Sequence, residues 1–139
     1  MSHALAQSAA HLSSTTEWVE LDWDGRRVRI EHQWLRREDA AAPLMVFLHE
    51  GLGSVSMWRD FPHTLCQRLG FRGLVYSRPG YGQSTPRAAD EHWAPDFMHR
   101  QAQEVLPALL KALWPNSQGA WEGSSRPSAF SSAGSTSCA

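Results

Sequence analysis

The sequence predicts a mixed α/β chain, and three observations predict it. Two alternating segments flank Asp24-Gly25. Two short unbroken apolar runs, 43–48 and 73–76, stand on either side of a stretch with apolar residues three or four apart. A second stretch of that spacing runs from 97 to 114. Alternation marks a strand with one covered face, an unbroken run fits a strand covered on both, and spacing of three or four marks a helix.

The elements follow in chain order. Residues 1–16 are small and polar and read as a loose arm. EWVELDW and RRVRIEHQWL then alternate, with Val19, Leu21 and Trp23 sharing one face and Val28, Ile30 and His32 another. Asp24-Gly25 supplies the positive φ values that a two-residue hairpin turn demands. Residues 36–42 are a polar connector, and PLMVFL after it is a buried strand of parallel-sheet type.

Trp58, Phe61, Leu65 and Leu69 recur at helical spacing, with Ser56 as N-cap, Pro62 in an early turn and Gly70 as the stop. Gly73 to Tyr76 is the next buried strand, ended by the loop SRPGYGQSTP. Strand, helix and strand make a βαβ unit, which closes right-handed. Asp96 caps FMHRQAQEVLPALLKALW, whose stripe is Met98, Ala102, Val105, Leu109 and Leu113, widened by Leu106 and Leu110. Pro107 removes a backbone donor in mid-helix and predicts a kink or a late start. Residues 115–139 are rich in Ser, Gly, Ala and Pro, with Trp121 and Phe130 as their large apolar residues, and read as a disordered tail.

With 139 residues the chain suits one modest domain, here 17–114, and 42% hydrophobic content suits a packed one. A formal charge of −1 argues against nucleic acid or an acidic membrane as partner, and Arg26-Arg27 reads as a solvated strand face. The two cysteines, Cys66 and Cys138, make neither a disulfide framework nor a metal pattern, which points to a reducing compartment. Cys66 falls on an apolar helical face, as a buried inert thiol does. MSHALAQSAAHLSSTT has no basic start and no long apolar run, and no stretch approaches the roughly 20 residues that span a bilayer. A soluble, cytoplasmic protein is expected.

Chemistry points first to VFLHEGLGS, residues 46–54. Glycines directly after a buried strand free backbone N–H groups to converge on one spot, and a nearby helix start favours negative charge there. Such a loop can hold the oxyanion of acyl transfer or a phosphate. A tight turn with no ligand has the same spacing.

In LMVFLHEGLGSVSMW and LVYSRPGYGQS the arrangement resembles the N-terminal part of the α/β-hydrolase fold family. The first is similar to that family's third strand and its H-G-x-G loop, the second to its fourth strand and the turn D-x-P-G-x-G-x-S. The resemblance runs from about Trp18 to about Trp114. Glu50 stands where the family usually has glycine, and Ser77 where it usually has aspartate. The resemblance implies a partial α/β-hydrolase fold, with an N-terminal antiparallel hairpin, a βαβ unit and a further helix. It implies an oxyanion hole at Gly51 and Leu52, a loop-ordering His49, and a pocket wall from Trp58 and Tyr81. Intact relatives hydrolyse esters or other small acyl and C–C substrates with serine, acid and histidine, without metal or cofactor.

The family's nucleophile sits on G-x-S-x-G after a fifth strand, with the acid and histidine later. The sequence has no G-x-S-x-G. Its nearest imitations, Gly82-Gln83-Ser84-Thr85-Pro86 and Gly123-Ser124-Ser125-Arg126-Pro127, end in proline, and no histidine follows His99. No catalytic residue is therefore assigned, and an inactive, truncated hydrolase is expected, its reading frame lost near Pro115. A frame-shifted continuation in the genomic DNA that encodes the elbow and the late histidine is the test. The family's third strand lies between the fourth and fifth, so Leu44 to Leu48 should present an open apolar edge prone to self-association.

Three rival readings stand beside this one. Ser54 or Ser84 would be a nucleophile with His49 or His99 as base, which needs both within hydrogen-bond reach. Gly51-x-Gly53-x-x-Ser56 between strands imitates a dinucleotide loop, with Arg78 near a 2′-phosphate. A non-enzymatic interaction protein would recruit a partner through the strand edge.

Overall fold

The computed structural model describes residues 15–51 and 53–115. Most of the arm, nearly all of the tail, and Leu52 lie outside them. Strand β1 (Thr16–Trp23) begins inside the stretch expected to be arm and pairs antiparallel with β2 (Arg26–Leu35), Val19 opposite Ile30 and Leu21 opposite Val28. The turn between them has φ 55° at Asp24 and 71° at Gly25, the left-handed pair of a type I′ hairpin. Residues directly opposite share a face, so the two predicted apolar faces are one. Leu21, Trp23, Val28 and Ile30 form a core there with Leu74, Tyr76, Val105 and Leu109.

Among the described residues the sheet has four strands in the order β1-β2-β4-β3, with β3 at Leu44–Phe47 and β4 at Arg72–Tyr76. β4 runs antiparallel to β2 and parallel to β3. The expectation of a strand covered on both faces holds for β4, all five of whose residues are buried. It fails for most of β3, where Leu44, Met45 and Val46 are only half-buried. β3 is the edge of the described sheet, and it is shorter than the apolar run that predicts it.

The predicted helix from Ser56 is broken in two. A 3-10 turn at Val55–Trp58 is followed by Arg59 at φ 49°, and α1 spans Phe61–Leu69 with Asp60 as its N-cap. Two anchors hold the short turn against the sheet. Val55 N–H donates to Ser77 Oγ at 2.9 Å, and Trp58 meets Phe47 edge-on at 5.5 Å. The left-handed residue then redirects the chain. Gly70 stops α1 at φ 71°, its N–H donating to Cys66 O, as its place in the sequence predicts. Cys66 is fully buried, and a Cβ on Gly73 would meet its Sγ at 2.8 Å. α1 lies close to the sheet because β4 has no side chain at that point.

The last helical run comprises α2 (Phe97–Arg100), a π-helical turn (Gln101–Val105) and α3 (Leu106–Leu113). Proline cannot donate to the carbonyl four residues back, and its ring crowds that carbonyl. A wide π turn ends at Val105 and α3 starts at Leu106 with Pro107 in its first turn, the late start that the proline predicts. The wider turn also moves the buried stripe. Phe97, Gln101, Val105 and Leu109 face inward, while Met98 and Ala102 are exposed. Among the described residues no helix is long and apolar enough to cross a membrane.

Candidate functional site

Two glycine loops leave the same ends of the parallel strands β3 and β4. In the first, His49 is buried and both ring nitrogens are engaged. Arg78 N–H donates to Nε2 at 3.0 Å, and Nδ1 lies 2.7 Å from Glu50 O. A backbone N–H can only donate, so Nε2 is the bare nitrogen and Nδ1 carries the proton given to Glu50 O. Burial holds the imidazole below its ordinary pKa, and the Arg78 charge adds to this against the opposing Glu50. An imidazole held in this way orders the loop and has no lone pair left to take a proton from a substrate.

The carbonyl of Glu50 accepts again from Arg78 Nη2 at 2.6 Å and from Gly53 N–H at 3.3 Å. Gly53 is compelled by packing, since a Cβ there would meet His49 Cβ at 2.7 Å. Gly51 is exposed, and apart from its chain neighbours a Cβ there would meet nothing within 4 Å among the described residues. Its expected neighbour, Leu52, lies outside the described residues.

The second loop closes around Glu31, a residue with no motif to mark it in the sequence. Its buried carboxylate accepts from Ser77 Oγ–H at 2.8 Å and from Gln83 N–H at 2.8 Å. The carboxylate beside Ser77 thus arrives from the neighbouring strand, β2. Gly82, at φ 53°, is required because a Cβ would collide with Glu31 Oε2 and Ser77 Oγ. Ser84 Oγ accepts from Glu31 N–H at 2.9 Å and donates to Ser77 O at 2.6 Å. The one signal for Glu31 is the alternating pattern of β2, which sets it on the face away from Ile30.

These contacts bear on the serine pairings. Ser84 is buried with its hydroxyl proton already given, Ser54 Oγ lies 3.0 Å from Ser56 Oγ, and His99 is exposed on α2. Among the described residues neither serine bonds to a histidine. The dinucleotide imitation differs from its template in one respect. A phosphate loop should open straight into a helix, whereas here a 3-10 turn and the break at Arg59 intervene.

Trp58 and Tyr81 do not come together as one wall. Trp58 joins the cluster of Phe47 and Cys66, stacked with Phe61 at 6.2 Å. Tyr81 packs by the cluster on the other face, its ring 5.3 Å from that of His49 and 5.1 Å from the Arg78 guanidinium. Arg26, expected in solvent, holds Glu91 at 2.6 Å. Among the described residues no group of three His, Cys, Asp or Glu is placed to hold a metal ion. Neither the protein-family models nor the curated proteins contain a match to this chain.

Proposed function

We propose that the chain is an α/β-hydrolase-type scaffold bearing the oxyanion side of an acyl-transfer site, Gly51 with Leu52, without an attacking group of its own. The observation that carries this reading is the open Gly51 turn at the end of β3, ordered from below by a histidine with no free lone pair. The sheet order supports it, with an antiparallel hairpin feeding a parallel β3–β4 pair and β3 outermost. Substrates of this class are small esters or other acyl compounds, and their hydrolysis needs a nucleophile that neither glycine loop holds. The test is a serine-directed fluorophosphonate probe together with a p-nitrophenyl ester assay on the purified chain. No label and no turnover above buffer are expected; turnover lost with one serine-to-alanine substitution overturns the reading.

The partner reading rests on β3. Leu44–Phe47 carries no charge, and its outer flank has no strand among the described residues. Unpaired N–H and C=O groups on an apolar edge template association. The chain is proposed to self-associate there. Sedimentation should show oligomers that Val46→Lys disperses, and an unchanged distribution in that variant would move the contact elsewhere.

A further inference from the structure

Arg78 is only 4% exposed, yet among the described residues it makes no ion pair. A guanidinium taken this far from water ordinarily meets a carboxylate, because desolvating it alone is costly. Its partners are instead weak or neutral. Nη1 donates to Met98 Sδ at 2.8 Å, Nη2 donates to the Glu50 carbonyl at 2.6 Å and lies 3.3 Å from His49 Nδ1, the Tyr81 ring lies 5.1 Å away, and buried Nε has no partner among the described residues. A thioether is among the poorest acceptors a protein offers.

We propose that Arg78 is the receptor for an oxyanion, a carboxylate or a phosphoryl group, carried by a small ligand that reaches it by displacing the Met98 side chain. Met98 is 55% exposed, so the side chain that lies against Nη1 itself reaches solvent. That side chain is unbranched, flexible and easily swung aside. An oxyanion in its place exchanges a weak contact for a charge-assisted hydrogen bond and supplies the missing counter-charge. One helical turn beyond Met98, Gln101 is 3% exposed with neither amide atom partnered among the described residues, and it opens the π turn. π turns recur at functional sites, and an orphaned buried polar group calls for an explanation such as a bound ion. The inference goes beyond the acyl-transfer reading and does not depend on it, since it concerns a resident anion and not a transient one at Gly51.

The experiment is an NMR titration of the full chain, following the Arg78 Nε–H and Met98 methyl signals. Sodium acetate and sodium phosphate are added separately, against sodium chloride at matched ionic strength. Saturable shifts of both signals are expected in at least one arm. Acetate alone identifies a carboxylate ligand, phosphate alone a phosphoryl one, and both together the shared chemistry. Arg78→Met should weaken binding at least about tenfold, the loss of one charge-assisted bond. Met98→Ala, which uncovers the guanidinium without touching it, should tighten binding. If Arg78→Met fails to fold, the parent titration and Met98→Ala decide by themselves. Shifts that merely follow chloride in both arms, or a Met98→Ala affinity no tighter than the parent's, overturn the proposal.

Discussion

The two glycine loops begin at equivalent points, after neighbouring parallel strands, and they are built to opposite ends. In the loop after β4 the glycine at 82 is forced by a collision, and the hydroxyls of Ser77 and Ser84 are both spent on the fold. In the loop after β3 the inner residues His49 and Gly53 are held equally tightly, but Gly51 faces open space. The difference teaches where binding can occur. Where the glycine and both hydroxyls serve the fold, as at Gly82, Ser77 and Ser84, the loop is a brace, and a loop with an unobstructed glycine can accept something from outside. Of the two serine-bearing turns, the one that looks more like a nucleophile's neighbourhood in sequence, around Ser84, is the brace.

The comparison breaks first at Glu31. Glu31→Ala strips the acceptor from a buried hydroxyl and a backbone N–H, and should cost about 3 kcal/mol of folding free energy in urea titration. A cost near zero would mean that the second loop does not depend on its carboxylate. Gly82→Ala should follow at about 2 kcal/mol, from the collision and from the left-handed backbone together. Acid acts next. Burial lowers the pKa of His32 and of His49 below the ordinary 6.5. The unfolded chain then binds protons that the folded one refuses, so stability is complete above about pH 6.5 and falls as pH drops below it. The urea midpoint should decline on that side, and His32→Phe should remove its share of the slope. Gly51→Ala is the smallest change, within about 0.5 kcal/mol of the parent. A loss as large as that of Gly82→Ala would erase the distinction between the loops.

Much of this architecture is legible in the sequence because it is written locally. Asp24-Gly25 dictates its turn through backbone sterics alone, and the runs 43–48 and 73–76 announce strands by composition. The helix after the first loop is legible in kind and not in extent. Its start depends on Val55 N–H reaching Ser77 and on Trp58 reaching Phe47, contacts between residues far apart in sequence. The last helix departs from its pattern in the first turns for a different reason. A period of 3.6 assigns Met98 to the core, and the π turn before Pro107 rotates Phe97 and Gln101 there instead. At the site, His49 and the glycines are visible as a motif. Glu31 is not, since a carboxylate on an alternating strand looks solvated until the loop that covers it is known. Arg78 stands out in the sequence only for a phosphate it would meet through a helix start, and its burial without a counter-ion belongs to the folded state alone.

Under α1, the thiol of Cys66 shares the gap that Gly73 leaves in β4. No reagent can alkylate it until that helix lifts from the strands. With Cys138 replaced by serine, the rate of modification becomes a built-in clock for that parting, timed at one sulfur atom in the resting molecule.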